Sequence, residues 1–160
     1  MAVDIFLDLD GVKGESKDGK HPETIDVLAW SWGMSQSGTA HMGSGAGAGK
    51  VSVQDINFTH YIDKASPTLA LFCCNGKHIK KGKLIVRKAG ENPLEYLTIE
   101  MEDILVSHYS TGGSHGEDLL TESFTLNFAK FKLEYVPQNQ DGSGGKRQEA
   151  KWDIPANRAA

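Results

Sequence analysis

Apolar and polar side chains alternate with a period of two through most of this sequence. Because successive side chains of a strand point to opposite faces of its sheet, this period predicts β-strands. The alternation predicts seven of them, at residues 5–9, 24–34, 51–62, 83–88, 94–109, 120–136 and 149–154. Seven closely spaced strands in 160 residues favour an all-β fold, either a barrel or a sandwich.

The longest predicted strands change the parity of their apolar positions midway. In residues 120–136, Phe124 and Leu126 share one face, whereas Phe131 and Leu133 fall on the opposite parity. Residues 94–109 and 24–34 show the same change. A β-bulge would keep both sets of side chains on the core face and bend the strand, which favours an antiparallel barrel. Burial of both strand faces, one of them against another subunit, is a second and compatible explanation.

One short helix is predicted after the third strand. Ser66 is a suitable N-cap, Pro67 suits the first helical position, and Gly76 is a typical stop signal. Cys73 and Cys74 then lie on this helix, where we expect them to pack as small hydrophobic residues.

Two stretches have no core-forming pattern. Residues 36–50 (QSGTAHMGSGAGAGK) are rich in glycine and predict a long flexible loop between the second and third strands. Residues 138–145 (QNQDGSGG) predict a second flexible segment, and the tail after Ile154 is predicted to be unpaired. We expect one domain over residues 1–160, in which the role of the tail at 141–160 stays open.

Charge and cysteine content exclude several classes of function. The chain has 17 Lys and Arg against 21 Asp and Glu, for a net charge of -4. Nucleic-acid binding needs a basic face that displaces counterions from phosphates, so this balance argues against a nucleic-acid partner. The N-terminal segment does not resemble a signal peptide, and no stretch approaches the roughly 20 apolar residues of a membrane span. Two adjacent cysteines make no disulfide framework, so we expect a soluble protein made in the cytosol.

Three short motifs resemble catalytic or ligand-binding sequences, but each lacks a required element. In residues 44–50 (SGAGAGK), a phosphate-binding loop would need Gly where Ser44 stands and a following helix. Residues 112–116 (GGSHG) have the spacing of a nucleophile elbow, but a strand follows and no later histidine exists. Residues 8–11 (DLDG) lack the remaining ligands of a calcium loop. With six histidines at no metal-ligand spacing, we expect no enzymatic activity, no cofactor and no metal.

Longer segments carry a more specific signal. The stretch at 26–50 (DVLAWSWGMSQSGTAHMGSGAGAGK), with VKGES at 12–16, resembles the haemolysin-coregulated proteins (Hcp family) of bacterial type VI secretion. Further collinear matches are VQDINFTHYIDKASPTL, GKHI, LIVRKAG and the run from STGG to GEDLLTESFTLNFAK. The resemblance covers nearly the whole chain and is weakest from about residue 141.

The resemblance implies a bulged antiparallel β-barrel flanked by a helix, similar to phage tail-tube proteins. Such subunits are expected to form hexameric rings that stack into a tube, which a contractile sheath propels behind a spike protein. The lumen is expected to hold effector proteins and to act as their chaperone. The protein would start in the bacterial cytoplasm and be secreted without a signal peptide, as the plain structural form without a toxin domain.

Candidate contact residues follow from the resemblance and the strand pattern together. Ser31 lies between Trp30 and Trp32, so its side chain points away from theirs. If the tryptophans pack in the barrel, the resemblance makes Ser31 part of the pore wall; the alternative is an ordinary edge residue. The glycine-rich loop is expected to contact other subunits or rings through Ser37, Gly38, His41, Met42, Gly43, Gly45, Gly47, Gly49 and Lys50.

Two other classes of function stay open from the residues alone. A soluble carbohydrate- or protein-binding β-sandwich module would use Trp30, Trp32 and Trp152 as exposed stacking surfaces. An enzyme would have its best candidate nucleophile in the loop at 112–116.

Overall fold

The structure of the protein is a computed structural model that describes residues 2–38 and 49–160. Its helix is α1 (Ser66–Asn75). Its strands, in chain order, are β1 (Val3–Leu9), β2 (Ile25–Asp26), β3 (Ala29–Ser31), β4 (Met34–Ser35), β5 (Ser52–Val53), β6 (Ile56–Tyr61), β7 (Ile79–Lys88), β8 (Leu94–Thr111), β9 (Thr121–Tyr135) and β10 (Gln148–Asp153). The predicted fold class, mostly β with one short helix, is confirmed.

Eight strands form one curled antiparallel sheet. Its order is β2-β1-β7-β8-β9-β6-β3, and β10 pairs with the second half of β9. The short segment at 25–31 contains both β2 and β3, so it connects the two edges of the sheet. The amide of Val27 donates to the carbonyl of Ile5 on β1 (2.9 Å), and the amide of Leu28 donates to Thr59 on β6 (2.8 Å). These bonds bring the two edges together, which gives the sheet the shape of a barrel.

Two of the predicted strands are interrupted. The predicted strand at 24–34 is divided into β2, β3 and β4, and the one at 51–62 into β5 and β6. The first prediction was wrong because the chain crosses from one sheet edge to the other there, and Leu28 and Met34, which produced the alternation, are exposed. Strands β4 and β5 pair with each other as a separate two-stranded ribbon. The remaining predicted strands are confirmed, and β7 begins four residues earlier than expected.

The parity change in the long strands has a different cause from the one predicted. Met101 and Ile104 on β8 are both buried, and so are their partners Phe131 and Phe128 on β9. Both strands change face at the same place, so the pairing register is kept, and Asp103 has a positive φ of 55°. The register shift in this pair lies elsewhere, between Val106 and His108.

Helix α1 begins and ends near the predicted positions but is capped differently. Pro67 lies in its first turn, and Gly76 adopts the left-handed conformation, with its amide donating to the carbonyl of Phe72. The residue at the N-cap is Ala65, with no side-chain cap, so the prediction that Ser66 caps the helix was wrong. Cys73 packs against the core as expected, whereas Cys74 is exposed.

The C-terminal region contains more hydrogen-bonded structure than predicted. Within residues 138–145, the amide of Asn139 donates to Ser143 (2.8 Å), and the amide of Gly145 donates to Pro137 (2.6 Å). Arg158 exchanges two backbone hydrogen bonds with Asp153, so the tail is paired, contrary to the prediction. In the part of the chain that the structure describes, no helix has the length and apolarity to cross a membrane.

Candidate functional site

Ser31 lies in β3 on the outside of the barrel. Its neighbours Trp30 and Trp32 are half-buried and pack against the core, while Ser31 is exposed. The indole Nε1 of Trp32 donates to the carbonyl of Gln54 (2.9 Å), and its ring meets that of Phe131 edge-on at 4.8 Å. The tryptophans therefore fix the orientation of β3, which holds the Ser31 hydroxyl away from the core.

The strands beside β3 extend this surface with small neutral side chains. Residues directly opposite each other in an antiparallel pair share one face of the sheet. Two such rows cross β3, β6, β9 and β8, in that order. One row contains Ser31, Asn57, Thr125 and His108. The other contains Ala29, Thr59, Ser123 and Ser110. We call these eight residues the neutral face.

Side-chain hydrogen bonds connect neighbouring residues of the neutral face. The side-chain amide of Asn57 donates to the Thr125 hydroxyl (2.9 Å), and the hydroxyls of Thr59 and Ser123 lie 3.1 Å apart. None of the eight residues is Asp, Glu, Lys or Arg, and His108 is the one histidine among them. The face is therefore a polar surface of low charge.

A second outward face, on the other half of the sheet, has the opposite character. Reading across β1, β7, β8, β9 and β10, one row contains Asp8, Lys83, Glu100, Lys132 and Lys151. The next row contains Lys81, Glu102, Lys130 and Asp153. We call these nine residues the charged face.

Neighbouring side chains of the charged face form ion pairs. The distance from Lys83 Nζ to Glu100 Oε1 is 3.9 Å, and that from Lys130 Nζ to Asp153 Oδ2 is 3.7 Å. A hydrogen bond between Lys132 and Glu134 raises the pKa of the lysine and lowers the pKa of the carboxyl. The change of face near Asp103 separates these charges from the neutral half of β8 and β9.

A buried polar cluster lies behind the neutral face. Glu122, on β9 and 2% exposed, accepts hydrogen bonds from His60 Nε2 (2.6 Å) and the Ser66 hydroxyl (2.7 Å). The hydroxyl of Tyr109 also donates to this carboxylate. Burial, together with the bond to Glu122, raises the pKa of Tyr109 to about 12. The cluster therefore connects α1 to three strands: β6, β8 and β9.

The buried cluster has the residue types of a catalytic triad but not the arrangement. Its carboxylate lies between the serine and the histidine, whereas a nucleophile needs its hydroxyl directly on the imidazole. His60 and Ser66 are also buried, so a substrate would not reach them. Burial raises the pKa of the nearby Asp63 carboxyl, whose Oδ2 lies 3.8 Å from His60 Nδ1. The geometry supports a structural role.

The ends of the glycine-rich loop meet beside the β4–β5 ribbon. A Cβ on Gly49 would lie 2.1 Å from the Ser37 hydroxyl, so the two strands of the loop base are in close contact there. Ser37, Gly38 and Lys50 are exposed. The other predicted contact residues, His41, Met42, Gly43, Gly45 and Gly47, lie outside the described residues.

The remaining sequence motifs lie in ordinary surface structure. The segment at 112–116 is in the hairpin loop between β8 and β9, where the Ser114 hydroxyl donates to the Glu117 carboxylate (3.2 Å). Among residues 2–38 and 49–160, no group of three or more His, Cys, Asp or Glu side chains could hold a metal ion. Trp152, like the other two tryptophans, is half-buried against the core, so none provides the exposed stacking surface of a carbohydrate-binding module.

The fold defines the class of protein: a curled antiparallel β-barrel with one helix beside it and two contrasting outer faces. A family model described as "Type VI secretion system effector, Hcp" matches residues 6–135. Protein hcp1 of Pseudomonas aeruginosa is 58% identical over 159 residues, which cover 98% of each chain. The chain therefore belongs to the Hcp family of the type VI secretion system.

Solved structures agree with this assignment. The crystal structure of Hcp1 from Salmonella typhimurium matches with a TM-score of 0.81 and 40% identity, over 100% of both chains. A structure described as that of a type six secretion system protein matches with a TM-score of 0.93 and 28% identity, over 99% of this chain and 100% of that one. A type VI secretion system effector from Yersinia pestis matches with a TM-score of 0.78 and 38% identity, over 94% and 100%.

Proposed function

We propose that this chain is the structural tube subunit of a type VI secretion system. Six copies of one barrel domain form a ring, rings stack into a tube, and the lumen carries effector proteins and protects them. The sheath and the spike protein of the machine are its further partners. The tube leaves the bacterial cytoplasm for the extracellular space or a target cell. Family membership supports this function, and the two contrasting faces suggest how the subunit is oriented.

The neutral face around Ser31 is the structural feature that most directly supports this function. A pore that carries different proteins must contact each of them without retaining any by charge. Hydroxyl and amide groups provide weak contacts, each with a net contribution of about 0.5–1.5 kcal/mol. Lysine and glutamate side chains would instead attract or repel cargo according to its charge. We therefore assign the neutral face to the lumen wall and the charged face to another side of the ring.

The glycine-rich loop remains a proposed contact between subunits or rings. Its described base is held by Ser37 against Gly49 beside the β4–β5 ribbon. Lys50 is exposed at this base, where it could meet an acidic neighbour. Contacts by the residues between 38 and 49 are part of the proposal and follow from the family resemblance.

A label on Ser31 tests the assignment of the lumen. Cys73→Ala and Cys74→Ser remove the native thiols, and Ser31→Cys then provides one site for a maleimide gold cluster. We expect electron microscopy of the rings to show the label in the central opening. Glu102→Cys, on the charged face, is the matched control and should place the label away from the opening. Label from Ser31→Cys on the outer rim would overturn the assignment.

A further inference from the structure

The hairpin loop between β8 and β9 ends in an exposed apolar tip. Leu119 is 62% exposed and Leu120 is 45% exposed, and Ile62 at the end of β6 is exposed beside them. The amide of Ile62 donates to the carbonyl of Leu120 (2.9 Å), which fixes their relative positions. Acidic Glu117 and Asp118 come directly before the two leucines. We call residues 117–120 the tip.

Contacts within the loop hold the tip in place. A Cβ on Gly113 would lie 2.6 Å from Leu120 Cδ2, so the leucine side chain packs over this glycine. The Ser114 hydroxyl and carbonyl both bond to Glu117, the first as a donor to its carboxylate and the second as an acceptor from its amide. A preorganised apolar tip loses less conformational entropy on docking than a flexible one.

An apolar groove of about 410 Å³ lies between the β4–β5 ribbon and β10. Thr121 begins β9 beside the tip, and Phe131 in the groove is ten residues further along it. At about 3.4 Å per residue the path along β9 from tip to groove is roughly 30 Å. The apolar lining comprises Met34, Val51, Val53, Phe131, Ala150 and Trp152.

The charges around the two surfaces are complementary. Lys151 lines the groove, and exposed Lys50 stands next to its lining residues Gly49 and Val51. These two cations could meet the carboxylates of Glu117 and Asp118 while the leucines enter the groove. Lys151 Nζ lies 3.7 Å from Glu149 in a half-exposed ion pair, and such surface pairs are weak enough to exchange partners.

We propose that the tip of one copy docks into the groove of a second copy in the next ring. Tip and groove are different patches separated along β9, so the contact between them is heterologous. A heterologous contact closes into a ring or extends as an open assembly, and stacking of rings requires the second. This inference rests on the proposed function, because it identifies the surface through which its rings would stack.

A cross-linking experiment on the full chain tests the contact. In the Cys73→Ala and Cys74→Ser background, Leu119→Cys is combined with Ala150→Cys, and the protein is treated with a short bismaleimide. We expect a ladder of covalent products that extends beyond the number of subunits in one ring. The matched control combines Ala150→Cys with Leu71→Cys, an exposed leucine on α1, and should give no such ladder.

Three other outcomes would count against the proposed contact or against the proposed function. A ladder that stops at the ring size would place the contact within a ring and overturn the stacking interface. Rings of normal mass without a ladder would also overturn it while leaving the proposed function intact, whereas a monomer in solution would contradict the proposed function itself. As an independent variant, Leu119→Asp with Leu120→Asp should keep the ring mass and reduce the fraction of stacked rings at least about tenfold.

Discussion

Replacement of Glu122 by alanine should loosen the attachment of α1 to the barrel wall. The carboxylate accepts side-chain hydrogen bonds from His60, Ser66 and Tyr109, which belong to three different elements. In Glu122→Ala these donors lose their acceptor. Tyr109 is partly exposed and can turn to water, but His60 and Ser66 are buried.

The expected loss follows from those two buried donors. Leaving one buried polar group without a partner costs about 1–3 kcal/mol, so two such groups together cost about 2–6 kcal/mol. We therefore expect a loss of about 2–6 kcal/mol in the free energy of unfolding. For a chain of 160 residues, this corresponds to a decrease in Tm of about 4–24 °C.

Thermal unfolding followed by circular dichroism measures this loss. All variants must be compared at one protein concentration, because assembly contributes to apparent stability. Glu102→Ala, which removes an exposed carboxylate on β8, should change the free energy by no more than about 0.5 kcal/mol. Glu122→Gln keeps an acceptor oxygen and should fall between the two. Equal melting temperatures for the two alanine variants would refute the role given to the cluster.

Two further substitutions test other contacts. Gly82→Ala should cost about 1–3 kcal/mol in thermal unfolding, because its Cβ would lie 2.6 Å from Leu9 Cδ2 and 2.8 Å from Ile104 Cδ1; no loss would contradict this packing. Asp18→Asn should destabilise the protein at pH 7, since hydrogen bonds from Arg87 hold the pKa of the Asp18 carboxyl well below its usual range. A lowered pKa stabilises the fold above the unfolded value of about 3.9. The difference from the parent should therefore shrink by about half or more between pH 5 and pH 2, and a difference that grows in acid would contradict the assignment.

Long alternating strands could be predicted from the sequence because their pattern is local. Strands β8 and β9 lie almost where the alternation placed them. The interruption of the strand predicted at 24–34 could not be predicted from the sequence, because it depends on the chain crossing between two sheet edges. The sequence shows a parity change near Met101 in one strand and near Phe128 in the other. That the two changes occur at the same place, and so keep the register, depends on the pairing of the two strands.

Ser31 could be placed on an outward face from its two tryptophan neighbours alone. Its companions on the neutral face required the strand order, because Thr59, Thr125 and Ser110 come from three other strands. A weaker signal was present: small polar residues alternate with buried aromatic ones around Phe58 and Phe124. The capping of α1 was mispredicted because Ser66 donates to a distant carboxylate, Glu122, which the local sequence does not reveal.

Light scattering after gel filtration, with negative-stain images of the same peak, tests most directly whether the protein forms a ring in solution. We expect a particle of about six times the 17.4 kDa of one chain, with a ring shape and a central opening. A stable monomer or dimer would contradict this expectation, because the neutral face would then surround no lumen and the tip would have no successive ring to contact.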